Sequence, residues 1–249
     1  MPAPARYSPH THRKTPMSNT LNLPLEFLYR PAVATAMTDT TPWLLVLMHG
    51  VGSNDQDLFG LAPHVPKQFH VLSLRAPITL GPDGYAWFQF GQLPSGERSI
   101  NAAQELASRK LVAQAVEAAA SQLGIAPERV VVGGFSQGGI MALSLLLTQP
   151  ALLKAVLVLH SRLLPQAVAD AAPAAALTGK AVWLSHGIYD NVIPLSMAQA
   201  AREHLAGLPL ELSYHEFPGV HEIRPIELQG AMAWLQQLSA PVAAAGAAG

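Results

Sequence analysis

Short, almost unbroken apolar runs alternate along this chain with helix-length segments, and that alternation restricts the fold more than any other feature. Residues 43–48, 71–74, 129–132, 154–159, 181–184 and 210–217 have the length and composition of strands. The middle runs carry almost no polar alternation, the pattern of strands covered on both faces. Between them, residues 102–123, 138–148, 195–205 and 225–238 have helical spacing and length, and Gly124 stands where a helix stops. The alternation predicts an α/β fold, a mostly parallel central sheet with helices on both faces. Ligands of such sheets bind beyond the carboxyl ends of the strands, so motifs in those turns matter most.

Composition supports a large core. Half of the 249 residues are apolar and only 12% are charged, which suits one domain with many buried strands; we expect it to span residues 21–239. The formal net charge of −1 supplies no field to attract nucleic acid or an anionic membrane. Cysteine is absent, which removes disulfides, thiolate metal sites and a cysteine nucleophile together, and fits the reducing cytoplasm. No stretch of about 18 consecutive apolar residues is present, so no membrane span is expected. Residues 1–20 hold four prolines, Arg6, Arg13 and Lys14, with no acid. They lack the apolar run of about 7–15 residues that a secretory signal needs, and are expected to form a disordered tail, with Met17 a candidate start. The small-residue segment 240–249 is expected to be disordered too, and the low-complexity segment 167–176 to be a surface helix or loop.

One motif carries chemistry. Gly134-Phe-Ser136-Gln-Gly138 lies between a buried apolar run and a helical segment, the context of a nucleophile elbow. A serine on so tight a turn needs glycines two residues either side so that neighbouring backbone can approach. The following helix aims its first amides at developing negative charge. Outside such a context, a Gly-rich turn with a surface serine would explain the same pattern.

A hydroxyl becomes a nucleophile when a base takes its proton, and the base needs an orienting carboxylate. In α/β-hydrolases the chain order is serine, acid, histidine. Two aspartates follow Ser136. Asp170 lies in the alanine-rich segment, whereas Asp190 follows a buried run at the expected catalytic edge. Of the five later histidines, His160 and His186 precede the acid, His204 falls in a helix and His215 in a strand. His221, on a loop before the last helix, alone has both order and position. The oxyanion needs two amide donors; Gln137, after the nucleophile, and Val51, in the loop His49-Gly-Val51-Gly, are the candidates. Trp87, Phe88, Arg162, Leu163 and Ile193 are the candidate substrate-binding residues, with core packing an equal alternative for the aromatic pair and an outward surface ion pair the alternative for Arg162.

Other motifs fail. Gly50-x-Gly52 is part of a dinucleotide fingerprint, but Asp55 replaces the third glycine and no acid follows about 20 residues on. His215-Glu216 with His221 has the wrong spacing for a zinc helix, and Pro218-Gly219 would break it. No metal ligands are therefore assigned.

The chain resembles the phospholipase/carboxylesterase family, which includes acyl-protein thioesterases and small bacterial serine esterases. The matching pieces are His49-Gly-Val-Gly, Ala76-Pro followed by Trp87-Phe88, Gly134-Phe-Ser-Gln-Gly-Gly-Ile-Met-Ala142, Ser161 with Leu164-Pro165, His186-Gly with Asp190 and Val192-Ile-Pro, and Gly219-x-His221. They run in family order over residues 24–238. The resemblance implies a triad of Ser136, Asp190 and His221, oxyanion amides at Val51 and Gln137, no cofactor and a minimal lid. Ser53 stands where many relatives carry aspartate, and Arg162 where thioesterase-like members often carry a small residue. The expected protein is an esterase or thioesterase acting on a small-molecule substrate as a monomer or weak homodimer. A catalytically silent binding protein and a small serine peptidase are the alternatives.

Overall fold

The computed structural model describes residues 21–33, 41–92 and 98–241; the tail expected over residues 1–20, and most of that over 240–249, lie outside this range. Eleven strands and six α-helices are formed among the described residues. In chain order they are β1 (Phe27–Arg30), β2 (Trp43–Met48), α1 (Asp55–Phe59), β3 (Phe69–Leu74), β4 (Ile78–Gly81), β5 (Gly84–Ala86), β6 (Phe90–Gln92), β7 (Arg98–Ile100) and α2 (Ala102–Leu123). There follow β8 (Val130–Phe135), α3 (Gln137–Thr148), β9 (Ala155–Leu159), α4 (Pro165–Ala169), β10 (Ala181–Gly187), α5 (Leu195–Ala206), β11 (Glu211–Phe217) and α6 (Pro225–Leu238).

Seven strands make one sheet in the order β1-β3-β2-β8-β9-β10-β11. Only β1 runs antiparallel to its neighbour. The unbroken apolar runs fill both faces of this sheet, because successive side chains point to opposite sides. Leu44, Val46 and Met48 of β2 join a core with α2, α3, α4 and α5, whereas Leu45 and Leu47 join a second core with α1 and α6. The α/β architecture read from the sequence is the one observed.

Register positions the site. Met48 pairs with Gly134, Phe135 with Leu159, and Leu159 with Ser185. The carboxyl ends of β2, β8, β9 and β10 thus finish at one level, and the turns after them share one edge. Gly124 ends α2 in the left-handed region at φ +65°, its amide bonded back to Ala120 and Ser121, where glycine meets no Cβ penalty. Among the described residues no helix is long and apolar enough to cross a membrane.

Four features were not anticipated: the edge strand β1, the five-residue α1, and the hairpins β4–β5 and β6–β7. The segment 167–176 divides between the end of α4 and a single 3-10 turn at Ala174–Leu177.

Candidate active site

Ser136 sits between β8 and α3 at φ +54° and ψ −116°, a left-side conformation that serine adopts only when its surroundings impose it. The glycines explain how. A Cβ on Gly138 would lie 1.9 Å from the Met48 carbonyl oxygen, and one on Gly134 would lie 2.3 Å from the Gly138 carbonyl carbon. α3 therefore starts against the backbone of β2 and β8, which no larger residue permits. The turn is pinned by the Ser136 amide donating to Leu159 O at 2.9 Å and by Ser161 Oγ donating to Ser136 O at 3.0 Å.

The Gln137 side chain is turned away from the serine. Its Nε2 donates to Phe88 O at 2.7 Å, and its Oε1 accepts from the Trp87 amide at 2.8 Å. Its own backbone amide is the first of α3, a position with no intrahelical acceptor. On the opposite side, Trp87 Nε1 donates to His49 O at 2.9 Å, and the Gly52 amide donates to Tyr85 O at 2.8 Å. These bonds hold the loop that carries Val51 beside Ser136. His49 donates from Nδ1 to Gly50 O and accepts at Nε2 from the Ala76 amide; burial lowers its pKa and keeps it neutral.

Asp190 follows β10, and its Oδ1 accepts from the amides of Val192 at 2.9 Å and Ile193 at 2.8 Å. Its Oδ2 lies 2.6 Å from His221 Nδ1, and His221 Nε2 lies 2.9 Å from Ser136 Oγ. His221 reaches this position because Gly187 lets its loop close on β10. A Cβ at residue 187 would fall 2.5 Å from the carbonyl oxygens of Gly219 and Val220. The Phe135 ring packs on the His221 imidazole at a centroid distance of 4.8 Å. Burial pushes the Asp190 carboxyl up, but hydrogen bonds from His221 and the two amides outweigh it and hold the group below its ordinary value.

Four more buried side chains, His160, Ser185, His186 and Glu227, stand behind Asp190, none of which the sequence reading assigned to the site. His160 Nδ1 lies 3.2 Å from Asp190 Oδ2, and its Nε2 lies 3.1 Å from Glu227 Oε2. Glu227 Oε1 accepts from Ser185 Oγ at 2.6 Å. His186 Nε2 donates to Ile193 O at 2.8 Å, and burial lowers the pKa of that ring. His160, His186 and Asp190 bring ligand-type atoms within 4.8 Å of one another. His186 Nε2 carries its hydrogen toward the Ile193 carbonyl and so offers no lone pair to a metal.

A cavity of about 240 Å³ opens at Ser136, lined by Val51, Phe90, Gln137, Ile140, Arg162 and Ile193 among others. Arg162 and Ile193 thus stand where substrate-binding residues were expected. Trp87 and Phe88 do not: both are fully buried, and they support the site through the backbone bonds above. Leu163 packs against the core beneath rather than in the cavity. An aromatic pair has the same sequence signature in a wall as in a core, whereas Phe90 was missed because its short hairpin strand was.

The rejected motifs are occupied elsewhere. Asp55 pairs with Arg75 at 2.7 Å, Asp170 with Arg109 at 3.4 Å, and His215 stacks on Trp183 at 3.9 Å.

Comparison with known proteins agrees with this architecture. Residues 31–239 match the phospholipase/carboxylesterase family model. Over 187 residues the chain is 30% identical to an acyl-protein thioesterase 1 of Gibberella zeae, covering 73% of this chain and 77% of that one. It is 30% identical over 166 residues to esterase YpfH of Escherichia coli, covering 65% and 68%. A Bacillus cereus carboxylesterase structure superimposes with a TM-score of 0.72 at 22% identity, covering 87% of this chain and 96% of that one. The structure of esterase PE8 gives 0.71 at 26% identity, covering 86% and 99%.

Proposed function

The chain belongs to the phospholipase/carboxylesterase family of α/β-hydrolases, and from that premise we propose that it cleaves carboxylic esters or acyl thioesters through a Ser136–His221–Asp190 triad and an acyl-enzyme. One observation carries the reading: Ser136 Oγ, His221 and the Asp190 carboxylate form a continuous hydrogen-bonded line of 2.9 and 2.6 Å.

Ser136 Oγ attacks the substrate carbonyl carbon as His221 Nε2 takes its proton. The oxyanion is received by the amides of Gln137 and Val51, each such donor lowering the barrier by roughly 3–4 kcal/mol. When the tetrahedral intermediate collapses, the proton passes from His221 to the departing alcohol or thiol, and the acyl group stays on Ser136. Water then repeats the attack with His221 as base, releasing the acid and restoring the hydroxyl. Asp190 holds His221 with its hydrogen on Nδ1, which leaves Nε2 free to accept.

Substrate size is set by the cavity. Its volume of about 240 Å³ falls below the roughly 300–1,000 Å³ of sites for drug-sized ligands, and Arg162 adds bulk and a permanent charge to its lining. Short acyl chains of about C2–C6 are expected to react best, each accommodated methylene adding up to about 0.8 kcal/mol. Arg162→Gly is expected to move the optimum to longer chains. The check is kcat/KM against chain length for p-nitrophenyl esters and acyl thioesters in both proteins; superimposable profiles would remove Arg162 from the specificity argument.

A further inference from the structure

The ring of His160 lies between two carboxylates whose side chains are both fully buried, with one nitrogen 3.2 Å from Asp190 and the other 3.1 Å from Glu227. A neutral imidazole has one N–H and one lone pair. It would satisfy one of these acids and turn its lone pair on the other, an unfavourable contact away from water. Two N–H groups satisfy both. His160 is held in the left-handed region at φ +51°, and its amide donates to Ser185 O at 2.9 Å. The backbone thus aims the ring at this gap.

Resting on the triad reading above, we infer that His160 and Glu227 are positioning residues of the same site. His160, protonated on both nitrogens, clamps the Asp190 carboxylate from behind and so fixes the carboxylate oxygen that orients His221. The line of contacts then runs Ser136, His221, Asp190, His160, Glu227, Ser185. Each carboxylate oxygen in it has a partner: Asp190 Oδ1 takes two amides, and Glu227 Oε1 takes Ser185 while Oε2 faces the Arg224 amide at 3.3 Å. Burial disfavours a charged His160, but Glu227 and then Asp190 outweigh it and raise its pKa above the ordinary value. Among the described residues, the other groups facing the ring are His186 from β10, His221 from the loop before α6 and the Phe135 ring from β8. The neutral, hydrogen-bonded His186 adds no competing charge.

The clamp has a consequence for the reaction. A cation on the far side of Asp190 shares that carboxylate with His221, so removing it changes the charge balance of the Asp190–His221 pair. His160→Asn provides this test, because asparagine enters the left-handed region more readily than most side chains. We expect kcat to fall by about tenfold to a hundredfold, in line with the effect of a small misplacement near a reacting group, while KM changes by less than about threefold. The acid limb of the pH profile should move to higher pH. Glu227→Gln supplies the second arm, since glutamine can still accept from Ser185 and the Arg224 amide. Imidazole nitrogen NMR should find two ring protons on His160 in the wild type at about pH 8, where an ordinary imidazole carries one; Glu227→Gln should leave one. A singly protonated His160 in the wild type at that pH, or an acid limb that stays in place in His160→Asn, would overturn the proposal. Failure of the triad reading would be recognised separately, as retained activity in Ser136→Ala, and would not alter the NMR result.

Discussion

Ser136→Ala is expected to lower turnover of p-nitrophenyl esters by about 10⁶ while leaving the fold intact. The effect is large because, among the described residues, no other hydroxyl is hydrogen-bonded to His221 Nε2. Ser161, in the turn after β9, donates its hydroxyl to Ser136 O. The variant keeps the glycines that let α3 approach the sheet, so α3 retains its start against β2. Alanine at φ +54° is as strained as serine, and the unfolding midpoint should move little. A residual rate above a few per cent of wild type would remove Ser136 as nucleophile.

Asp190→Asn should reduce kcat by about 10⁴. The structure supplies the reason in atomic terms. The Val192 and Ile193 amides both donate to Asp190 Oδ1, so the single carbonyl oxygen of asparagine would be drawn to them. Its NH2 would then face His221 Nδ1, which must offer a lone pair in return. That tautomer carries its hydrogen on Nε2, facing Ser136, and cannot accept the serine proton. Asp170→Asn provides the control. Asp170 is a largely exposed side chain paired with Arg109, and its loss should change kcat by less than about twofold, as exposed ion pairs contribute little. The opposite result, a large loss at residue 170 and a small one at residue 190, would move the acid and break the chain-order argument.

The sheet and its large helices were legible because buried parallel strands leave unbroken apolar runs, and α2 and α6 end where their helical patterns end. β1 was not, since four half-buried residues lack both alternation and a continuous run. The hairpins were missed for their brevity. At the site, the chain-order rule led to Ser136, Asp190 and His221, which the structure brings into one hydrogen-bonded line. The same rule set aside His160, which precedes the acid in the chain yet touches it in space. Its signal was available only in retrospect: a histidine ending a wholly apolar strand must find buried partners. Glu227 was hidden on α6, where a glutamate near a helix start is ordinarily a capping residue, a role it also fills through the Arg224 amide.

The most direct test of the account is rapid acid quenching of the enzyme during turnover of p-nitrophenyl acetate, followed by mass analysis of its peptides. The account predicts an acetyl group on Ser136, formed in a burst approaching one per chain and absent from Ser136→Ala. Steady turnover with the acetyl group on another side chain, or with no covalent adduct at any quench time despite a burst of p-nitrophenol, would contradict it.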